Sequence, residues 1–293
     1  TGRPAKIIYD RDDDFILTGK RHDFQISYKV GFEDNGLINS VIVDQAMRCG
    51  MSWDLSEAIA ARAMCHAENS YFIKNMRITS HRLKTNTQSN TAFRGFGGPQ
   101  GIVGMERVID HVAHHLNVDP LLVRERNFYP HKTSATHGIT PYGQTVHDCI
   151  IQDIISELKK TSDYADRRKD IEKFNKNSEF LKRGISLTPV KFGISFNASF
   201  LNQAGALLHV YNDGSVYLNH GGTEMGQGLN TKIAQIVANE FQLPLDAIKI
   251  TATSTGKVPN TSATAASSGS DLNGMAAKNA AEKIKSRMAE YLA

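Results

Sequence analysis

The residues best suited to chemistry lie in Asn90–Gly101, which reads Asn-Thr-Ala-Phe-Arg-Gly-Phe-Gly-Gly-Pro-Gln-Gly. Four of the twelve are glycine, which lets backbone approach a ligand closely and take φ > 0 without steric cost. Arg94 adds a fixed fork of donors suited to oxyanions, and Phe93 and Phe96 flank it. Directly afterwards Val103, Val108, Ile109, Val112 and Leu116 recur at helical spacing. The loop is therefore expected to open onto a helix N-terminus, where free N–H groups attract anions. A tight turn with two packed rings and a surface arginine is the other reading, and composition leaves both open. The Gly-Lys-Ser/Thr ending of a P-loop is missing, which argues against a nucleoside triphosphate site.

A second glycine loop, His220-Gly-Gly-Thr-Glu-Met-Gly-Gln-Gly228, precedes the helical stripe Ile233, Ile236, Val237 and Phe241. Thr253–Ser270 is a run of small residues containing Thr264-Ala-Ala-Ser-Ser-Gly-Ser270, with a helix expected from about Asp271. Hydroxyls and amides at a helix start form an anion-friendly nest, although such a run also reads as a linker. Three loops ahead of helices, with Arg94 and Gln227 among them, suit a polar polycyclic ligand that carries a phosphate. Glu224 is the only carboxylate inside these loops, and no Ser-His-Asp order accompanies it. Arg62 lies in an alanine-rich helical stretch and reads by itself as a solvated helix former. His111, His114 and His115 read as a solvated helix face, since no acidic partner stands in zincin order. Arg11-Asp-Asp-Asp14 reads as a solvated turn.

These residues need elements to position them. Strands are expected at Lys6–Tyr9, at Phe24–Val30 and Leu37–Asp44 around the hairpin turn Asp34-Asn-Gly36, and at Met76–Thr79 and His81–Lys84. Asp54-Leu-Ser-Glu57 has capping-box spacing for a helix from Leu55 to about Glu68. Asp119-Pro120 starts a short helix through Arg126, and Tyr129–Gly143 reads as a connector. Val146–Lys159 is an amphipathic helix, and Asp163–Lys182 an exposed, charged helix pair. Gly184–Phe196 is β-like. Ala206–Tyr211 and Ser215–Asn219 form a hairpin around Asn212-Asp-Gly214, and Leu245–Thr251 is a further strand. The second half thus repeats the grammar of the first. The expected class is α+β, with two related mixed-sheet-plus-helix subdomains, both incomplete. They span 1–130 and 145–293, with 131–144 as connector.

Hydrophobic content of 40% and charged content of 22% are ordinary for a globular chain. The net charge of +4 is spread along the sequence, which argues against nucleic acid. No apolar run reaches the ~18 residues of a membrane span, and Thr1-Gly-Arg-Pro-Ala5 lacks signal-peptide regions. Cys49, Cys65 and Cys149 are an odd, scattered set, so neither a disulfide framework nor a cysteine metal site is expected, and a reducing cytoplasm is the simplest compartment. The chain begins without Met in a strand-like run, as a piece of a longer protein would.

Thr91-Ala-Phe-Arg-Gly-Phe-Gly-Gly-Pro-Gln100 and His220-Gly-Gly-Thr-Glu-Met-Gly-Gln-Gly228 resemble the cofactor loops of molybdenum hydroxylases, and among these the xanthine dehydrogenase/oxidase family. The likeness extends to Lys191–Phe196, Phe200–Gly205 and Thr264–Ser267, and runs in order from Thr1 to the last helix. It implies a molybdenum–molybdopterin cofactor held by Phe93, Arg94, Gly95, Met225, Gln227, Ala266, Ser267, Ser268, Gly269 and Ser270. The Arg94 backbone and Ala266 would lie near the metal. Phe96 and Phe196 would sandwich a flat heterocycle, with Asn197 beside it where threonine is common in the family. Arg62 would leave its solvated reading and enter the substrate pocket, where it would hold a purine oxygen and stabilise charge building on the ring.

The implied reaction takes hypoxanthine and xanthine towards urate, by attack of a Mo–OH oxygen and hydride transfer to a sulfido ligand. The family's Gly-Glu-Pro-Pro base motif does not occur in this sequence, so the segment alone is expected to be inactive. The remaining molybdenum-domain sequence, 2Fe-2S clusters and FAD would belong to other domains or subunits of an oligomeric parent. An aldehyde or N-heterocycle hydroxylase of the same family, or a non-catalytic cofactor-binding or assembly module, is the alternative.

Overall fold

A computed structural model describes residues 2–251 and 261–292. Residues 253–260 of the small-residue run therefore lie outside the described residues. Packing divides the chain into two compact units, Thr1–Phe192 and Gly193–Ala293.

The first unit opens with a short helix, α1 (Arg11–Leu17), where a solvated turn was the expectation. Asp10 caps it by accepting from Asp13 N at 2.9 Å, and three aspartates in its first turn complement the helix dipole. Lys6–Tyr9 forms no strand; Ile7 and Ile8 are 82% and 73% exposed, so no ladder partner lies beside them. β1 (Phe24–Phe32) and β2 (Ile38–Gly50) make the expected hairpin, in which Asn35 Oδ1 accepts from Leu37 N at 2.8 Å. Helix α2 (Ser56–Cys65) then crosses to β3 (Asn75–Lys84), which is one strand rather than two and runs parallel to β2. Asp54 does not cap α2. Its φ of +41° turns it out of the capping geometry, and Leu55 takes the cap position without a side-chain bond.

Helix α3 (Gly98–Leu116) lays Met105, Val108, Ile109 and Val112 on the sheet residues Ile38, Val41 and Val43, all nearly inaccessible. Burial of such side chains is the main favourable term in the fold. Asp119 caps α4 (Pro120–Asn127) by accepting from Leu121 N at 2.9 Å. Within the connector β4 (Gly138–Ile139) pairs antiparallel with β5 (Thr145–Val146) just beyond it. α5 (Ile151–Thr161) starts later than its apolar pattern, and α6 (Tyr164–Asn177) is a single helix where a pair was expected. Beyond α6, Phe180 and Leu181 are 88% and 71% exposed; without a buried face a second short helix has nothing to support it. Gly184–Phe196 forms no strand, and parts of its backbone bond to side chains instead.

The second unit pairs β6 (Ala206–Val210) antiparallel with β7 (Val216–His220), crosses through α7 (Leu229–Phe241), and adds β8 (Ile248–Ile250) parallel to β7. A single 3-10 turn, Leu245–Ala247, replaces the start of the expected strand. α8 (Gly269–Leu292) closes the unit. Leu218, Leu229, Ile233, Val237, Ala277 and Ala281 make its core. Both units therefore follow one order: hairpin, helix, parallel strand, helix. The two glycine loops are not equivalent in it. Asn90–Gly101 follows the third strand of its sheet, whereas 220–228 follows the second.

Candidate functional site

In the first unit the glycine loop rests directly on α2. A Cβ at Gly97 would meet Ile59 O at 2.1 Å and Ala63 N at 3.0 Å, and one at Gly101 would meet Ala63 O at 2.3 Å. These glycines make room for a helix backbone, so close ligand approach is not what requires them. The turn they touch carries Arg62. Arg62 is only 8% exposed, with its guanidinium carbon 6.0 Å from the centre of the Phe192 ring. The reading of Arg62 as a solvated helix former is thereby corrected. One turn on, His66 lies buried with its ring 4.7 Å from Phe192. Its Nδ1 is 3.0 Å from Cys65 O and donates to it. Burial, helped by the Arg62 and Lys191 charges, pushes its pKa down to about 4, so the ring is neutral near pH 7.

Phe96 takes a left-handed φ of +52° and packs partly buried against Met47, Cys49, Ile59 and Ala60. Phe93 is 59% exposed, and the Arg21 guanidinium lies 4.5 Å from its ring centre. Arg21 Nη2 also donates to Arg94 O at 2.6 Å, which fixes the main chain at Arg94 and Gly95. The Arg94 side chain itself is exposed. Buried Asn90 anchors the start of the loop by donating Nδ2 to Arg48 O at 3.0 Å. Arg21 and Asn90 were not legible as site residues, because each acts through a partner distant in sequence.

A buried polar cluster behind α2 was also missed. Glu68 is fully buried and ion-paired with Lys191. Burial raises the Glu68 pKa, and the Lys191 ammonium opposes that. Beside it Glu106 accepts from Tyr71 at 2.6 Å, from Asn69 at 2.8 Å and from Arg124 at 2.8 Å.

In the second unit three segments converge. Thr223 N donates to Thr264 Oγ1 at 2.8 Å, and Ser195 N donates to Ala266 O at 2.8 Å. Asn202 frames Phe196, with Phe196 N donating to Oδ1 and Nδ2 donating to Phe196 O, both at 2.9 Å. Asn197 is exposed beside it. Gln227 locks its own loop by donating to Thr223 O at 2.9 Å and accepting from Met225 N at 2.6 Å, which leaves the Met225 side chain 66% exposed.

Glu224 is a cap. Its carboxylate accepts from Gly226 N, Gly228 N and Asn230 N at 2.9, 3.0 and 2.9 Å, and these donors hold its pKa below the usual carboxylate range. The start of α7 is therefore already served by an anion. The start of α8 is different. Ala266 and Ser267 are left-handed, with φ of +56° and +57°, and lead through buried Ser268 into Gly269 and Ser270. The first turn of a helix leaves backbone N–H groups without intrahelical partners, and Ser267, Ser268 and Ser270 bring hydroxyl-bearing residues to this helix start. This donor set suits a phosphate.

His111 meets the Tyr28 hydroxyl and lies 3.0 Å from Arg107 Nη2, while the His115 ring stands edge-on to Phe32. Among the described residues no group of three or more His, Cys, Asp or Glu is placed to hold a metal ion, and no helix is long and apolar enough to cross a membrane.

Two family profiles, each described as a molybdopterin cofactor-binding domain, match residues 1–128 and 157–293. A xanthine dehydrogenase from Calliphora vicina is 47% identical over 98% of this chain and 21% of its own length. One from Blastobotrys adeninivorans is 45% identical over 99% of this chain and 20% of its own. The chain thus spans about a fifth of the length of these relatives. Among solved structures, quinoline 2-oxidoreductase from Pseudomonas putida 86 superposes with a TM-score of 0.81 at 21% identity, over 95% of this chain and 37% of that one. At that identity the likeness speaks for the fold.

Proposed function

Since the chain belongs to the molybdopterin cofactor-binding domains of the xanthine dehydrogenase/oxidase family, we propose that it is a segment of a molybdenum hydroxylase acting on hypoxanthine and xanthine. The carrying observation is Arg62, a buried arginine on the helix turn against which the glycine loop packs. A guanidinium held in place presents a fixed fork of donors suited to a purine oxygen.

The second unit fits the cofactor through the donor chemistry at the start of α8. Ala266, Ser267, Ser268, Gly269 and Ser270 would receive its phosphate, and Met225 and Gln227 would flank it. Phe93, Arg94 and Gly95, whose main chain Arg21 holds in place, are the further cofactor-binding residues proposed. When bound, the molybdenum cofactor supplies the oxygen-transfer and redox chemistry. The protein's part is position and electrostatics. Arg62 orients the purine and stabilises negative charge developing on its ring. Phe96 offers an aromatic face to the heterocycle, and Phe196 and Asn197 are further substrate contacts. The general base would be a glutamate outside this sequence, and 2Fe-2S clusters and FAD on other domains or subunits would supply the electron-transfer chemistry. The location proposed is the cytoplasm.

The test uses the full-length protein and its Arg62→Met variant with hypoxanthine, an aldehyde and nicotinate. Purine turnover that collapses in the variant, while molybdenum content holds, is the expected result. Unchanged purine turnover in the variant would remove Arg62 from its role. Turnover of only the aldehyde or nicotinate would replace the substrate assignment.

A further inference from the structure

Residues 189–192 form no strand, yet their backbone is fixed. Asn69 Nδ2 donates to Pro189 O at 2.9 Å, and Asn69 Oδ1 accepts from Lys191 N at 3.1 Å. One amide side chain thus serves this strap as a neighbouring strand would. Beside it the Lys191 ammonium pairs with the fully buried Glu68 carboxylate. Both anchors lie just beyond the C-terminal end of α2.

The strap delivers the Phe192 ring to a defined place. It lies 4.7 Å from the His66 ring, and it fills the space a Cβ at Gly98 would need, with Cε2 only 2.6 Å from that position. It also lies 6.0 Å from the Arg62 guanidinium carbon. Arg62, in the last turn of α2, and His66, the residue that follows the helix, thus both lie against this one ring. A guanidinium is drawn to the face of an aromatic ring, and a long side chain packed along apolar surface loses its alternative rotamers.

We infer that Phe192, held by Glu68, Asn69 and Lys191, is a positioning residue for Arg62, fixing the direction in which its guanidinium meets the substrate. The kinetic readout rests on the purine-hydroxylase reading above; the structural readout does not.

The experiment is a double-mutant cycle in the full-length, molybdenum-loaded enzyme. Phe192→Leu keeps apolar bulk and removes the ring face. It is expected to lower kcat/KM for xanthine about 3- to 30-fold, mainly through kcat, and Phe192→Tyr should restore most of it. In the Arg62→Met background the same change should add less than about two-fold, because its effect runs through the guanidinium. An equal loss in both backgrounds, or no loss with Arg62 present, overturns the assignment. If Phe192→Leu fails to load molybdenum, Lys191→Met replaces it in the cycle under the same criteria. Crystal structures of the wild type and Phe192→Leu provide the second readout. A displaced or multiply oriented Arg62 guanidinium is expected, and an unmoved one overturns the positioning role whatever the substrate. A wild type that turns over no purine, together with a displaced Arg62 in the variant, removes the functional reading and leaves the positioning intact.

Discussion

Gly97→Ala is the sharpest test of how the first unit holds its loop. Two costs add at this position. Gly97 has φ +94°, outside the range an alanine adopts freely, and such strain costs on the order of 1–3 kcal/mol. The new methyl would also sit 2.1 Å from Ile59 O and 3.0 Å from Ala63 N. Both are backbone atoms of α2 and cannot swing aside, so overpacking adds roughly 1–3 kcal/mol. Gly143 isolates the second cost. It lies in the same unit with φ +86°, and a Cβ there would meet nothing within 4 Å. Both substitutions gain equally, by about 0.4–1 kcal/mol, from a stiffer unfolded chain. Equilibrium urea unfolding should therefore show Gly97→Ala less stable than Gly143→Ala by at least about 1–3 kcal/mol. Equal losses would refute the claim that this glycine exists to let the loop lie on α2.

Three further outcomes follow from the buried and capping groups. Arg124→Met strands the Glu106 carboxylate in a site where the arginine side chain is 2% exposed and the glutamate 13%; a loss of about 3–5 kcal/mol is expected in urea unfolding. His66 has a folded pKa of about 4 against about 6.5 unfolded, so the unfolded state binds the extra proton between those values. Its contribution, on the order of 3 kcal/mol, is full above pH 6.5 and lost as pH falls to 4; His66→Gln should flatten that part of the stability–pH curve. Glu224 has a depressed pKa, so its stabilisation is present above the ordinary carboxylate range and lost on acidification. Glu224→Ala should speed amide exchange at Gly226, Gly228 and Asn230 at neutral pH, and unchanged exchange would contradict the capping role.

The sequence was most legible where local chemistry decides structure. Asp34-Asn35-Gly36 and Asn212-Asp213-Gly214 gave both hairpins, and apolar stripes gave α3 and α7. It was least legible where partners are remote. Lys191 finds Glu68 across 123 positions, and Asn69 clasps a strap 120 positions away. Neither pairing leaves a local pattern, so the strap looked like a strand and Arg62 like a surface residue. The capping role of Glu224 was not legible because its three donors are backbone N–H groups of its own loop, which spacing alone does not reveal. Asp54 failed as a cap because its backbone turned left-handed, which side-chain spacing does not encode.

The most direct test of the central claim is urate formation from xanthine by the purified, molybdenum-loaded, full-length protein, with a dye supplied as acceptor for the two electrons that each turnover releases. The account predicts steady urate production, with Arg62→Met at least about 100-fold slower at equal molybdenum content, the scale of losing one preorganised electrostatic group. A fully loaded protein that makes no urate, or an Arg62→Met variant as fast as the wild type, would contradict it.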